Sequence, residues 1–363
     1  MSAAASYAQG DGGARRAARR RRSAAELTRI AILTLSFAAI LIAFLSPLVY
    51  SALLSLKTPT QITQTNSPIL PSDPATFEYL GKSYPVYYVP LPDGTTQALA
   101  IVKKGRTQSD FIDPAHPTAA PITWIGSWRN LDQPWQLAPA WDNYGKVWSL
   151  IDFPKALFNT VALALIGTIG TVLSCTLVAY GFARFRFRGR GFLFGVLLAT
   201  IFLPGAVTLI PTYTIFVKIG WVGSWLPLLV PAFFANAYDV FLLRQYLLTI
   251  PRDLDEAAMI DGAGPIRVLR SVILPQAWPV IVAVSIFTFV YAWNDFFGPL
   301  IYLTGHPDIQ PLQVVLANFH GIYYKNPAFI QVGNILTLGI PVVLFMVFQK
   351  VFIRGIVITG VEK

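Results

Sequence analysis

Long apolar stretches recur along this chain, and they constrain its fold more than any other feature of the sequence. A helix needs about 20 apolar residues to cross the roughly 30 Å hydrocarbon core of a bilayer. Only 13% of the 363 residues are charged, about half the share found in soluble proteins. The sequence therefore predicts an all-α polytopic membrane protein with six transmembrane helices, at 30–54, 156–180, 191–213, 222–245, 277–301 and 332–353.

Lys and Arg residues are concentrated in alternate connecting segments. They precede the first span, join the second to the third and the fourth to the fifth, and follow the sixth. Because cytoplasmic loops carry the excess of basic residues, we expect a multi-pass protein of the cytoplasmic (inner) membrane with both termini inside. This bias accounts for most of the net charge of +10. We expect the basic tail to contact anionic membrane lipid, and we expect no nucleic-acid partner.

The chain divides into four predicted parts. Residues 1–29 form a basic tail without apolar periodicity, which predicts disorder. Residues 30–54 form the first span, which is too long for a cleaved signal. Residues 55–155 form an extracytoplasmic insert. Residues 156–363 form a permease core that contains spans two to six and the cytoplasmic loop 251–275.

The insert contains a predicted β-hairpin. Tyr84–Pro90 and Thr96–Val102 are rich in aromatic and β-branched residues and flank a Pro-Asp-Gly turn, a pattern typical of a hairpin. Many Trp and Pro residues follow. The insert is thus either a small folded cap resting on the membrane interface or a docking surface for an extracytoplasmic partner.

The loop between the fourth and fifth spans is organised as two short helices. Pro251 ends the fourth span, and Asp253 with Glu256 three residues later resembles a capping box. Gly262 is a plausible helix stop, and Pro265 suits the first turn of a second helix that ends before Pro275. The pattern predicts a rigid helix pair that can transmit movement from a partner protein.

The spacing within this loop resembles the EAA loop of ABC importer permeases. It reads Glu256-Ala257-Ala258, then Gly262, then Val272 and Leu274-Pro275, with Val272 where the family usually has Ile. The segments 241–246, 287–289, 293–295 and 348–355 are similar to MalG-type sugar permeases. The resemblance covers the first span and about residues 141–363, and the long insert exceeds what that family usually has.

The resemblance implies a non-catalytic subunit of a carbohydrate ABC importer with the type I permease fold. It implies that the loop docks into a cytoplasmic ATPase, that a second homologous permease completes the pore, and that a solute-binding protein delivers the sugar from outside. ATP and Mg²⁺ would be bound by the ATPase, so this chain would hold no cofactor and, with scattered histidines, no metal. The implied coupling residues are Asp255, Glu256, Ala257, Ala258, Asp261, Gly262, Leu274 and Pro275.

Polar residues in or near the spans are candidates for the substrate pathway. Charges within spans are costly and tend to face a cavity, and an aromatic ring beside polar groups suits a sugar. These criteria select Trp293, Asn294 and Asp295 in the fifth span, then Asn159 and Asn236. The alternative for the two asparagines is helix–helix hydrogen bonding. Asp295 could instead shape a helix end.

Several other functions stay open on the sequence. The same machinery could import a polyol, a polyol phosphate or a polyamine, although the spans offer few charges for the latter two. A membrane-embedded enzyme would need a catalytic cluster, and the spans contain no His. A membrane sensor or scaffold with an extracytoplasmic head would explain the insert but would leave the EAA-like loop without a purpose.

Overall fold

The computed structural model describes residues 7–64, 66–323 and 325–357. The chain forms two compact units, Met1–Ala140 and Trp141–Lys363.

The first unit joins one long helix to a small β domain. The helix α1 is Tyr7–Ser55, followed by α2, Pro59–Thr63. Its hydrophobic part, Glu26–Ser55, is long enough to cross a membrane. Helix α1 continues back through residues for which the sequence predicts a disordered tail. Ala and Arg, which dominate that segment, are strong helix formers and allow the helix to extend. Residues 1–6 of the predicted tail lie outside the described residues.

The β domain consists of a five-stranded antiparallel sheet and a two-stranded ribbon. The sheet has the order β2-β3-β4-β5-β6, and the ribbon pairs β1 with β7. The strands are β1 Ser72–Pro74, β2 Thr76–Tyr79, β3 Lys82–Pro90, β4 Thr96–Lys103, β5 Gln108–Ile112, β6 Ile122–Ile125 and β7 Trp135–Leu137.

The predicted hairpin is confirmed. Strands β3 and β4 pair antiparallel from Pro90 opposite Thr96 to Val86 opposite Ala100. The alternation of β3 and β4 turns Val89, Leu99 and Ile101 inward, where they are almost completely buried together with Phe111. A face of apolar residues therefore gives the insert a core of its own.

The second unit contains the remaining membrane-crossing helices. Single spans are formed by Phe153–Arg184, Leu226–Thr249, Pro265–Trp293 and Pro327–Val347. The helices are α3 Asp142–Leu150, α4 Phe153–Arg184, α5 Arg190–Ala199, α6 Gly205–Lys218, α7 Leu226–Leu229, α8 Ala237–Thr249, α9 Asp253–Ile260, α10 Pro265–Val268, α11 Leu274–Trp293, α12 Phe297–Tyr302, α13 Leu312–Ile322 and α14 Pro327–Val357.

The third predicted span is not one straight helix. Arg190–Phe202 and Gly205–Lys218 meet at an angle of 99°. Pro204 lies at the break and precedes Gly205, the first residue of α6. Because a proline disfavours helical geometry in the residue before it, the first helix ends at this point. The described residues thus contain five single spans, or six with this bent pair.

The fifth predicted span also differs, at both ends. Its helical path begins at Pro265 and ends at Trp293, so residues 294–301 lie beyond it. The amide of Gly298 donates to Asp295 Oδ1 at 3.2 Å, which starts the separate helix α12. Asp295 therefore shapes the beginning of α12 and does not lie within the span.

Two cores hold this unit together. The larger one packs α4, α8 and α11 around Val240, Leu243 and Ile273, which are fully buried. The smaller one joins α3, the start of α4, α13 and α14 around Val147 and Leu312. The larger core lies next to the loop 251–275 and fixes its position.

The two ends of the β insert meet at a narrow neck. The amide of Ala140 donates to the carbonyl of Leu56 at 2.8 Å, and the β1–β7 ribbon closes the insert just beyond. We expect that replacing residues 58–138 with a short Gly-Ser linker leaves the second unit folded. Thermal unfolding of the protein in detergent will check this.

A longer excision that also removes α3 is the matched control. This excision removes Val147 from the smaller core. It should lower the free energy of unfolding by about 1.5–3 kcal/mol for this side chain alone. Equal loss of stability in both excisions would contradict the independence of the insert.

Candidate functional site

The loop between α8 and α11 forms the candidate coupling site. Helix α9 begins at Asp253, with Asp255 and Glu256 also in its first turn. Three acidic side chains there interact favourably with the positive end of the helix dipole. The predicted capping box is wrong, because Arg252 is the N-cap and no side chain caps the helix. The carbonyl of Arg252 instead accepts from the amides of Asp255 and Glu256, at 2.9 and 3.1 Å.

Gly262 terminates α9, as the sequence predicts. Its φ is +83°, in the left-handed region. The amide of Ala263 donates to the carbonyl of Ala258 at 2.9 Å, and the amide of Gly262 donates to that of Met259 at 3.0 Å. These two bonds form a Schellman motif, which satisfies the last carbonyl groups of the helix. A glycine is favoured here because other L residues are strained at this φ.

The second helix of the pair runs directly into the fifth span. Pro265 occupies the first turn of α10, as predicted. The prediction that Pro275 breaks the chain before the span is wrong. A π-helical turn, Leu269–Ile273, carries the helix into α11, where Pro275 lies in the first turn. A π turn changes the hydrogen-bond register, so the proline is accommodated without a break.

Most of the predicted coupling residues form an exposed surface. Glu256, Ala257 and Asp261 are exposed, and Ala258 is half-buried against the larger core. Leu274 also packs on that core. Exposed apolar side chains extend the surface: Leu254, Met259, Ile260 and Ile266. Ile260 is 86% exposed. A short helix that presents apolar and acidic groups together has the character of a protein-docking surface.

Asp255 differs from the other predicted coupling residues because it faces inward. Its side chain is 8% exposed and its Oδ2 lies 3.0 Å from Nε of Arg184, whose side chain is 6% exposed. Arg184 is the last residue of α4. Burial raises the pKa of the Asp255 carboxyl, while the positive charges of Arg184 and Arg252 lower it. The ion pair therefore joins the candidate coupling helix to the end of α4.

Three hydrogen bonds surround this ion pair. Arg184 Nη2 donates to the carbonyl of Ile250 at 3.0 Å. Arg252 Nη2 donates to the carbonyl of Ala183 at 3.3 Å. The hydroxyl of Tyr180 donates to the carbonyl of Pro265 at 3.1 Å. A cavity of about 190 Å³ lies between these groups.

Sequence reasoning missed Arg184, Tyr180 and Arg252 as parts of this site. In the sequence, Arg184 is one of the basic residues that join the second predicted span to the third, and by itself this placement indicates only the orientation of the chain. One signal was present: Arg184 ends the largely apolar helix α4, so its side chain can remain among packed helices.

The candidate pathway residues after α11 have separate surroundings. Trp293 is 1% exposed, and its ring lies 6.0 Å from that of Phe289. Asn294 is exposed and donates to the carbonyl of Val290 at 2.8 Å. Asp295 accepts from the amide of Gly298. In the described residues, no hydrogen bond joins these three side chains to one another.

The two candidate asparagines take part in contacts between helices. Asn159 Nδ2 donates to the carbonyls of Asp308 and Gln310, at 3.1 and 3.0 Å. Asn236 caps α8 by accepting from the amide of Asp239 at 2.9 Å, and its Nδ2 donates to Asp239 Oδ2 at 2.7 Å. Asn236 also contacts the buried Cys175. A second cavity, of about 380 Å³, lies beside Asn159.

Comparison with known proteins identifies the family of the second unit. Residues 173–358 match the family described as "Binding-protein-dependent transport system inner membrane component". The chain is 29% identical to the osmoprotective compounds uptake permease protein GgtD of Synechocystis sp., over 70% of this chain and 85% of the relative. It is 31% identical to the sn-glycerol-3-phosphate transport system permease protein UgpE of Escherichia coli K12, over 68% of this chain and 86% of the relative.

Two further similarities extend this result. The arabinooligosaccharides transport system permease protein AraQ of Halalkalibacterium halodurans is 30% identical over 56% of this chain and 72% of its own length. A solved bacterial ABC transporter that imports the acidic polysaccharide alginate contains a chain similar in fold. The TM-score is 0.60, with 20% identity, 88% of this chain and 94% of that chain covered.

The left-handed conformation of Gly262 leads to a local prediction. Gly262→Ala should destabilise this left-handed helix stop by about 1–2 kcal/mol, although a Cβ there would meet no atom within 4 Å. We expect amide hydrogen exchange over residues 258–263 to accelerate by roughly 5- to 30-fold. Gly264→Ala is the matched control, because Gly264 has a φ of −73° and equal room for a Cβ. Similar exchange in the two variants would contradict the assignment of the helix stop.

Proposed function

The chain belongs to the family of binding-protein-dependent transport system inner membrane components and is the multi-pass permease subunit of an ABC importer, and from this premise we propose how it couples to ATP hydrolysis and what it carries. The observation that carries the coupling proposal is the geometry of α9. One side of this short helix is held by the buried pair of Asp255 and Arg184, and the other side exposes Glu256, Ala257 and Ile260.

Helix α9 is the proposed docking element for the cytoplasmic ATPase. Small side chains at Ala257 and Ala258 allow a partner to approach the backbone closely. The carboxylate of Glu256 suits a basic partner group, and the exposed Leu254, Met259 and Ile260 supply apolar area. Movement of the ATPase would reach the membrane core through α9. Hydrolysis itself belongs to the ATPase, which binds ATP and Mg²⁺, and this chain takes no catalytic part.

The proposed assembly places both termini in the cytoplasm. This orientation follows the distribution of Lys and Arg, and it puts α9 on the same side as the ATPase. The insert then lies on the side from which the solute-binding protein delivers substrate. A second, homologous permease is proposed to complete the pathway, because one chain provides half of a type I pore.

The proposed substrate is a neutral sugar or oligosaccharide. The name of AraQ refers to arabinooligosaccharides, which supports a saccharide substrate. The fourth span contains one basic side chain, Arg244, in its described residues. Its guanidinium donates to the carbonyl of Phe182 and lies over the ring of Phe194 at 4.2 Å. Because these protein groups already engage the positive charge, the span favours a neutral solute over an anionic one. Asn294 and Asp295 remain proposed pathway residues. The amides of Asn159 and Asn236 are already occupied by protein groups.

A polyol phosphate is the second candidate substrate. The similarity to UgpE, a permease for sn-glycerol-3-phosphate, favours it. Binding measurements on the co-purified solute-binding protein, with neutral oligosaccharides against sn-glycerol-3-phosphate, distinguish the two. Binding of the phosphate ester alone would reject the neutral sugar.

Co-purification tests the assembly. We expect the tagged chain, extracted in mild detergent, to bring with it an ATPase and a second permease. Ile260→Glu should abolish recovery of the ATPase, because it places a charge in the centre of the apolar docking surface. Ile125→Glu, at an equally exposed site in strand β6, should leave recovery unchanged. Recovery of the wild-type chain alone, or full recovery with Ile260→Glu, would reject the docking proposal.

Glu256→Ala tests coupling. We expect the variant to insert normally and to lose ATP-driven uptake, because the exposed carboxylate is proposed to contact the partner and forms no side-chain hydrogen bond or ion pair with any described residue. Uptake of radiolabelled sugar into cells gives the measurement. Glu78→Ala, at an exposed position in β2, serves as the control, and unchanged uptake in Glu256→Ala would contradict the coupling role.

A further inference from the structure

Within the part of the chain that the structure describes, every polar side-chain link from residues 250–265 to another element leads to the last five residues of α4. The links start at Ile250, Arg252, Asp255 and Pro265. They end at three neighbouring positions, Tyr180, Ala183 and Arg184. Among the described residues, no side-chain hydrogen bond or ion pair connects this segment to any other helix.

The charge pair in this set is better suited to fixing a geometry than to adding stability. Both side chains are more than nine-tenths buried, and removing two charges from water costs about as much as their attraction returns. Arg184 uses separate nitrogens for Asp255 and for the carbonyl of Ile250. One guanidinium therefore attaches both the start of the loop, by a hydrogen bond, and α9, by an ion pair, to the end of α4.

The opposite end of α4 carries a second set of polar links. Asn159 donates to the carbonyls of Asp308 and Gln310, and the amide of Leu312 donates to Thr160 Oγ1 at 2.7 Å. Lys155 forms an ion pair with Asp308, and its ammonium lowers the pKa of that carboxyl. Helix α4 has 32 residues, about 48 Å of helix. It is thus attached at one end to the coupling loop and at the other to residues 308–312.

We propose that α4 is the element that transmits movement between the ATPase-docking helix and the segment 308–312, and that Arg184 is the positioning residue that attaches α9 to it. The inference rests on the proposed function of α9. A helix fixed by polar links at both ends moves as one body, so a displacement of α9 is carried along α4 to the far side of the membrane. Segment 308–312 then responds to the state of the ATPase.

Solute uptake per ATP hydrolysed tests this role in the co-purified complex reconstituted in liposomes. Arg184→Met should lower the ratio by about fivefold or more. Arg184→Lys keeps the charge but cannot reproduce the two-pronged contact, and should lower it less. Arg186→Met, at an exposed position two residues beyond the end of α4, is the control and should leave the ratio unchanged.

A neutral double variant separates positioning from stability. Arg184→Met with Asp255→Leu removes the pair without leaving a buried charge, and such replacements are often neutral for stability. We expect the thermal stability of the double variant to approach that of the wild type while uptake per ATP stays low. If the double variant restores both quantities, the pair only stabilises the fold and the inference is overturned.

Two further measurements address the two ends of α4. Thr160→Val removes the acceptor of the Leu312 amide with little change in volume and should also lower uptake per ATP; a wild-type ratio would reject transmission to segment 308–312.

Trypsin cleavage after Arg267 in the isolated permease should accelerate in Arg184→Met and not in Arg186→Met. This readout needs no ATPase, so it judges the attachment of α9 even if the proposed docking partner is not recovered.

Discussion

The backbone of a membrane-spanning chain has to satisfy its own hydrogen bonds, because the hydrocarbon region offers no water to accept them. The spans of this permease follow that constraint, and so do their interruptions. The amide of Leu203 donates to the carbonyl of Thr200 where the third span bends. Asn236 supplies a side-chain acceptor where α8 begins. The π turn at Leu269–Ile273 keeps the path helical towards Pro275. Each irregularity is therefore stabilised by a local partner.

The candidate coupling site, the loop between α8 and α11, follows the same logic at the end of the membrane core. A loop of short helices exposes many free backbone groups, and each end needs a partner. The Schellman motif at Gly262 satisfies one end of α9. Tyr180, Arg184 and Arg252 satisfy or donate to carbonyls around the segment. The buried face of α9 therefore contacts α4, and the opposite face is exposed and available to another protein.

The features predictable from sequence are those set by local chemistry. The β3–β4 hairpin follows from its turn and alternation, the helix stop from Gly262, and the spans from their apolar length. The pairing of Arg184 with Asp255 joins residues far apart in sequence, so no periodicity could reveal it. Local rules also misjudged Pro275, since a π turn absorbs it, and the end of the fifth span, since a separate short helix begins after Trp293. The partners of Asn159, at residues 308 and 310, depend on tertiary packing, whereas Asn236 caps its own helix through Asp239.

Cys175 has a practical consequence for experiments on this protein. It is the sole cysteine of the chain, its side chain is fully buried in α4, and it contacts the carbonyl of Asn236. Thiol reagents attack exposed thiolates, so the native protein should react slowly with maleimides. Single cysteines introduced elsewhere can therefore carry fluorophores or spin labels without prior removal of a native thiol. The motions of the transporter become accessible to spectroscopy on an otherwise unaltered sequence.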